Sequence, residues 1–359
     1  MRTVDGPDDL VGRRVALRHR LGSGLLTDAV GELATDDGAL VVHTRRGAVR
    51  VARADVVAVR AVPPPVPRRA SWAAVARVEN LCADAWPARV DRPLGAWRLR
   101  ATGGFTGRAN AALAIGDPGI PVPAALEVVR AFADEHGVAP RVHAPVGSPW
   151  DRAVEREGWV LDAGHEAGAE VAVLVADVDR LAAAAPHDDI APQNHDADGR
   201  PRADAVVLAD RPDAAWWALS LGRDPTPDER WVLDPAGHVD VGGAAPATAG
   251  TTPGPGAARA TAAPEVRIAF GNVPGTGVIR AAVVGDHAHL SRLAVRPQSR
   301  RTGVGTRLTA VAAAWAREQG ARWAVLQVAL HNTAARAFYD ALGATEHHRY
   351  RYLVPPGRA

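Results

Sequence analysis

The stretch Leu293-Ala-Val-Arg-Pro-Gln-Ser-Arg-Arg-Thr-Gly-Val-Gly-Thr-Arg-Leu308 decides how the C-terminal part of this chain is read. It opens as the apolar end of a strand, Leu290 to Val295. Pro297 stops that strand, because proline has no N–H to give to a ladder. An Arg- and Gly-rich turn follows, then an Ala-rich run from Thr306 to Gln319 with helical spacing. A strand, a glycine turn and a helix in this order leave backbone N–H groups free at a helix N-terminus, aimed at an anion. Gly303 and Gly305 let the main chain approach a phosphate closely, and Arg300 and Arg301 add positive charge beside it. The turn lacks the Gly-Lys-Ser/Thr of a P-loop, and the chain contains no lysine at all. Its glycine spacing also differs from the Gly-x-Gly-x-x-Gly of dinucleotide-binding folds.

Further on, Ala324-Val-Leu-Gln-Val328 reads as a strand. It leads into His331-Asn-Thr-Ala-Ala-Arg-Ala-Phe-Tyr-Asp-Ala-Leu-Gly343. Asn332 suits a helix N-cap and Gly343 a helix stop. Together these segments resemble the GNAT family, the GCN5-related N-acetyltransferases. The family's pyrophosphate loop, Arg/Gln-x-x-Gly-x-Gly/Ala, matches Arg300-Arg-Thr-Gly303-Val-Gly305. Its second signature, Asn-x-x-Ala-x-x-Phe-Tyr-x-x-x-Gly, matches Asn332, Ala335, Phe338, Tyr339 and Gly343. The resemblance covers residues 265–354, about a quarter of the chain.

What the resemblance implies is specific. Acetyl-CoA is the co-substrate, with its pyrophosphate on Arg300, Arg301, Thr302, Gly303, Val304, Gly305 and Thr306. Main-chain N–H groups of Leu293, Ala294 and Val295 polarise the thioester where that strand splays from Ala324–Val328. Asn332, Ala335 and Phe338 complete the cofactor site, and Tyr339 is the general acid for the departing thiolate. Many relatives carry a carboxylate base four residues before the position of Leu293, where this chain has His289. Arylalkylamine acetyltransferases are closer, with His-Leu-His-x-Leu-Ala-Val against His289-Leu-Ser-Arg-Leu-Ala-Val295; their second histidine becomes Ser291. Strand alternation puts His287, His289, Ser291 and Leu293 on one face, and an imidazole has a suitable pKa to take a proton from an amine. A purely structural His289 and a Tyr339 that only packs remain alternative readings. Trp216 and Trp217 fall where the family places the helices that wall the acceptor pocket, and Ser291 is a further pocket candidate. No metal is expected: His287, His289, His347 and His348 have neither a carboxylate nor helical spacing to support one.

Composition sets the frame around this core. A hydrophobic share of 47% with 23% charged residues is ordinary for a globular protein. A net charge of +2 predicts no strong field for nucleic acid. One cysteine, Cys82, excludes an internal disulfide and a Cys-rich metal site. No apolar run is long enough for a membrane helix, and cytoplasmic localisation is the expectation. Residues 1–62 read as five short strands, Arg14–His19, Ala29–Leu33, Ala39–His43, Val49–Val51 and Val56–Val62, hence a small SH3-like β-barrel. Such a barrel resembles the one attached to certain actinobacterial GNAT proteins; it is a candidate dock for a protein or peptide partner, or a stabilising appendage. A proline-rich linker, 63–70, follows.

Residues 71–176 echo the C-terminal part: helix Trp72–Asp84, strands Trp97–Arg100 and Ala109–Ile115, helix Val122–His136, strand Arg141–Ala144, a segment Val146–Gly158 matching His331–Gly343, and a closing strand Val171–Val175. That order predicts an internal duplication. Yet Gly116-Asp-Pro-Gly-Ile-Pro121 replaces the glycine loop, and Asp117 repels phosphate, so this half is degenerate. A linker, 177–204, with His187 and His195, leads to a catalytic half at 205–359. Its first strand is either Trp231–Leu233 or Val239–Val241, and a low-complexity insertion spans 242–264.

The expected architecture is thus an SH3-like barrel followed by two α/β (α+β) GNAT-like halves, of which only the second is active. The expected function is acetyl transfer from acetyl-CoA to a primary amine, whether of an amino acid, a small amine or a protein lysine. A thiol-sugar amine, as in the tandem-GNAT mycothiol synthases, is an alternative acceptor. The contrasting class is a non-catalytic CoA-sensing or peptide-binding regulator.

Overall fold

The computed structural model describes residues 7–44, 47–62, 70–185, 205–235 and 265–357. The proline spacer at 63–69, most of the expected linker with His187 and His195, Val239–Val241 and the insertion at 242–264 lie outside the described residues. The chain forms two compact units, Met1–Arg68 and Arg69–Ala359.

The first unit is a five-stranded antiparallel sheet. Its strands are β1 (Arg14–Arg20), β2 (Leu26–Asp36), β3 (Ala39–Thr44), β4 (Gly47–Val51) and β5 (Val56–Ala61), in the order β4-β3-β2-β1-β5. Alternation along these strands turns Val15, Leu17, Ala29, Leu33, Leu40, Val42 and Val51 into one core. Gly31 is where β2 bends tightly onto β3: a Cβ there would overlap the His43 carbonyl.

The second unit is built on one long mixed sheet. Its N-terminal half contributes α1 (Trp72–Ala85), β6 (Val90–Leu94), β7 (Trp97–Ala101), β8 (Ala112–Leu113), α2 (Val122–Glu135), β9 (Val142–Pro145), α3 (Pro149–Arg156), β10 (Val160–Leu161), β11 (Glu170–Asp177) and α4 (Val178–Ala182). Its C-terminal half contributes β12 (Val207–Ala209), α5 (Ala214–Leu221), α6 (Pro227–Leu233), β13 (Val266–Val273), β14 (Gly277–Val284), β15 (His287–Val295), α7 (Val304–Glu318), β16 (Trp323–Ala329), α8 (Thr333–Ala341) and β17 (Thr345–Val354). The strand order is β12-β13-β14-β15-β16-β11-β17-β9-β8-β7-β6, with β10 beside β17.

Both halves repeat one unit. In each, a pair of parallel strands, β8 with β9 and β15 with β16, is joined through a helix, α2 and α7. The sharing of last strands is not what the sequence order suggests. β11 does not close its own half; it lies antiparallel between β16 and β17 of the other. β17 in turn reaches across to β9. The two halves therefore interlock through exchanged strands.

Two local readings are corrected. Trp231–Leu233 belongs to helix α6, and the first strand of this half is β12. The sequence Thr226-Pro-Asp-Glu229 explains the helix: the Thr226 side chain accepts from the Glu229 N–H, Glu229 reaches back to the Thr226 N–H, and Pro227 occupies the first turn. The expected strand Ala109–Ile115 shrinks to β8, because a tight turn holds Gly107–Ala109.

The sheet of the C-terminal half is covered on both faces. On one side Val304, Leu308 and Ala312 of α7 pack on Ile279, Ala281, Ala288, Leu290 and Leu326. On the other, α1, α5 and α6 cover Val278, Ala282 and Val284. Every residue of β14 is buried, as a strand covered on both faces requires. Among the described residues no helix is long and apolar enough to cross a membrane.

Candidate active site

The site is organised by where β15 parts from β16. The two strands pair only at His287–Trp323, Ala288–Ala324 and His289–Val325. Beyond His289 the pairing ends, although both strands continue. Burial follows: residues 287–290 are buried, whereas 291–295 are half-buried. The side of residues 290–295 that faces β16 thus borders a cleft with no strand filling it. The opposite side of β15 stays bonded to β14 but carries a bulge. Between the pairs Val278–Ala294 and Arg280–Ser291, one residue of β14 is matched by two of β15. Arg292 sits in that bulge at φ 56°, left-handed backbone that a non-glycine residue rarely adopts. Its guanidinium donates from Nε to Ser220 Oγ at 3.0 Å and from Nη2 to the Ser220 carbonyl. The bulge is thereby tied to α5 on the neighbouring face.

Past the cleft mouth the chain turns through Pro297–Ser299 and enters α7 at Gly303, whose φ is 85°. Glycine meets this conformation without strain. Among the described residues no side chain caps the helix start, and the first-turn N–H groups have no partner within the helix. The nearest neighbours of a Cβ on Gly305 would be Phe338 at 3.5 Å and Val295 at 3.9 Å. The loop is therefore packed directly on the cleft strand and on α8. Arg300 Nε donates to the Val295 carbonyl at 3.2 Å, and Thr302 Oγ1 to the Ser299 carbonyl at 2.8 Å. Arg301 takes a positive φ of 62° beside them. Leu293, Val295, Val304, Ala335, Phe338 and Tyr339 all join the cluster beneath the cleft.

Asn332 uses its side chain locally: Oδ1 accepts from the Ala335 N–H at 3.1 Å and caps α8. That cap fixes the start of the helix that carries Phe338 and Tyr339, whose rings meet edge to face at 4.9 Å. Tyr339 is buried, and burial pushes its hydroxyl pKa up, so the phenol keeps its proton throughout the physiological range.

His289 lies on the face away from α7. It is buried and meets the Trp86 indole edge-on at 6.0 Å. Gln327 approaches the imidazole, but neither ring nitrogen reaches hydrogen-bond geometry with a described residue. Burial, then the charges of Arg108 and Arg280, hold its pKa well below the usual histidine value. The ring is neutral at pH 7, the form that accepts a proton. The Ser291 hydroxyl is likewise buried without a partner among the described residues.

Trp216 and Trp217 both lie on α5. Both are buried in a cluster with Trp86, Val232, Leu233 and Phe270, and the Trp216 indole N–H donates to the Ile279 carbonyl at 3.2 Å. They fix α5 against β14 rather than presenting a free ring. The sequence reading missed Trp86, Arg108, Arg280, Arg292 and Gln327, which surround His289 or the bulge. A signal existed for one of them: Arg280 is a lone charge in the apolar run Val278-Ile-Arg-Ala-Ala-Val-Val284. The abundance of arginine elsewhere hid it.

Behind this region Glu79 is buried between the halves. His348 Nε2 lies 2.7 Å from one of its oxygens and His143 Nε2 lies 3.2 Å from the other. Burial alone would raise the carboxyl pKa, but the two imidazoles outweigh it and hold it below the ordinary range. Among the described residues no group of three or more His, Cys, Asp or Glu is arranged to hold a metal ion.

Comparison with known proteins gives the family. A family model described as "Probable histone acetyltransferase Rv0428c C-terminal" matches residues 73–353. A second, "Rv0428c N-terminal Sm-like domain", matches residues 10–60, the small N-terminal barrel. The chain is 28% identical over 356 residues to the Probable histone acetyltransferase Rv0428c of Mycobacterium tuberculosis, spanning 96% of this chain and 95% of that protein. Among solved structures, a GCN5-related N-acetyltransferase from Kribbella flavida superposes with a TM-score of 0.45 at 17% identity, over 79% of this chain and 95% of its own. A tandem GNAT protein from the clavulanic acid biosynthesis pathway superposes with a TM-score of 0.33 at 15% identity, over 94% and 82%.

Proposed function

From the premise that this chain belongs to the Rv0428c acetyltransferase family, of GNAT type, we propose that it transfers an acetyl group from acetyl-CoA to a primary amine. The observation that carries this is the parting of β15 from β16 after His289, beside a helix that starts on an uncapped glycine. An extended pantetheine arm can lie along the unpaired side of residues 290–295 as a strand would, while the pyrophosphate meets the first-turn N–H groups of α7. Arg300 and Arg301 flank that position. The thioester carbonyl then lies within reach of main-chain N–H groups near Leu293, Ala294 and Val295, donors that favour the charge developing on its oxygen.

The amine arrives from the other face, where His289 lies. Its nitrogen forms the new bond to the carbonyl carbon and gives up a proton, which His289 accepts directly or through water. The carbon–sulfur bond breaks, and Tyr339 supplies a proton to the departing sulfur. Each group is in the required state at neutral pH: the imidazole is neutral and the phenol protonated.

The test is thiol release from acetyl-CoA by the full chain across amino acids, small amines and lysine peptides, with the acetylated product identified by mass. Release that depends on one class of amine and yields its amide is the expected result. Acetyl-CoA bound with no transfer to any amine or protein target would contradict the reading and favour a CoA-sensing role.

A further inference from the structure

His289 can accept a proton only at a ring nitrogen whose lone pair is free, and a neutral imidazole has one such nitrogen. Gln327 of β16 bears on which one. His289 is paired with Val325 in the parallel register, so Gln327 stands two residues past that pair, where the strands have parted. Alternation puts Gln327 on the face of Val325, which packs on Val78 and Cys82 of α1. Gln327 is half-buried and lines a small cavity with Arg108, Glu79, Cys82 and His143. It lies near the imidazole but short of hydrogen-bond geometry, as catalytic hydrogen bonds commonly do before substrate binds.

The amide of Gln327 is held in one orientation. Arg108 Nη1 donates to its Oε1 at 2.9 Å. Arg108 is itself held, with its Cζ 4.3 Å from the centre of the Trp86 ring. Trp86 Nε1 donates to Thr106 Oγ1 at 3.0 Å. Thr106 has a φ of 59°, left-handed backbone that a β-branched residue rarely adopts. The buried Asn110 side chain imposes it. Its Nδ2 donates to the carbonyls of Phe105 and Thr106 at 2.8 and 2.9 Å, and its Oδ1 accepts from the N–H groups of Thr102 and Gly104 at 2.7 and 3.1 Å. Strained backbone persists only where its surroundings over-determine it, and it gathers at functional sites. What the strained loop delivers here is Arg108, two residues on from Thr106, onto Gln327.

We propose that Gln327 is a positioning residue for His289, held in turn by Arg108: its carbonyl receives the N–H of one imidazole nitrogen and so keeps the lone pair of the other for the proton of the amine. A carbonyl oxygen has two lone pairs, so Oε1 serves both donors at once. The charged groups that act on the ring are Arg108 from this loop, Arg280 from β14 and Glu79 from α1. This rests on the acetyltransferase reading with His289 as base, and names what fixes that base.

The test is side-chain nitrogen NMR of the histidines of the full chain with acetyl-CoA bound, the His289 signals being those lost in His289→Gln. The wild type should show one neutral tautomer of His289, and Gln327→Leu a mixture of both. Gln327→Glu offers the ring a carboxylate in place of the amide. It should keep the single tautomer and make His289 titrate at a pH higher by ~1 or more, with the acidic limb of kcat/KM moving up alongside. A mixture in the wild type, or the same single tautomer in Gln327→Leu, would overturn the proposal. Where Gln327→Leu does not fold, Gln327→Glu decides: His289 titrating as in the wild type would overturn it. The NMR readout needs no turnover, so the two readings fail separately. No acetyl transfer by the wild type to any amine would count against the acetyltransferase reading, whereas transfer with an unaltered His289 tautomer in Gln327→Leu counts only against this one.

Discussion

Tyr339 and His289 are the two side chains to which the proposed proton transfers fall. Tyr339→Phe keeps the ring that packs against Phe338 and removes only the hydroxyl. It should lower kcat by ~10²-fold with acetyl-CoA affinity nearly unchanged; steady-state kinetics showing full activity would remove Tyr339 from the chemistry. The pH profile carries a second prediction. An unperturbed imidazole would place the acidic limb of kcat/KM near ~6.5. Burial first, then Arg108 and Arg280, lower the pKa of His289, while Gln327 and then Glu79 act the other way. A lowered pKa means that the proton-accepting form persists as the pH falls. The limb should therefore lie well below pH ~6.5, and His289→Gln should remove it. A limb at the ordinary position that survives the substitution would assign it to another group. At this scale the sequence was uneven. The placement of Tyr339 and of the loop glycines was legible because it is local in the chain, on one strand-to-helix junction each. Arg280 was not, because what makes it unusual is Trp86 and Arg108, brought from the other half of the unit.

At the scale of elements, the loop entering α7 and the bulge on β15 do the positioning. Gly305→Ala adds a methyl with only ordinary contacts to Phe338 and Val295, so it should fold and still bind acetyl-CoA. Gly305→Asp places a carboxylate where the pyrophosphate is proposed to lie and should abolish binding by calorimetry. Equal affinity in the two variants would move the phosphate site elsewhere. The bulge predicts a stability effect. Arg292 bonds Ser220 twice across the site and stabilises an otherwise unfavourable backbone. Arg292→Ala should cost about 2 kcal/mol in denaturant unfolding, and a neutral result would show that α5 is held by its tryptophans alone. Most elements were readable from pattern and caps. The strands of the barrel, α1, α2, α7 and α8 agree with their expected positions to within a few residues. Trp231–Leu233 misled because three apolar residues suit a strand or a buried helix face equally, while the capping box just before them carried the decisive information. The placement of β11 was not legible at all, since which strand pairs with which is not written in local alternation.

For the whole molecule, that exchange of strands decides what can be separated. Removing residues 1–68 deletes one compact unit and should leave acetyl-CoA binding intact. Expressing 205–359 alone should fail. It lacks β11, which pairs with β16 at seven positions and with β17 at six, and its loss exposes two strand edges. Adding 69–185 as a second chain should restore a soluble complex, and a folded, binding-competent 205–359 fragment would contradict the interlocked sheet. The N-terminal half completes the sheet, and it supplies Trp86 and Arg108 to the face where His289 lies. The central claim, that the cleft between β15 and β16 takes acetyl-CoA, is tested most directly by melting the full chain with and without acetyl-CoA, for the wild type and for Gly305→Asp. At ligand near 100 times Kd the wild type should gain ~2.7 kcal/mol, seen as a rise in Tm, and the variant should gain nothing. No rise in the wild type, or an equal rise in both, would contradict the account.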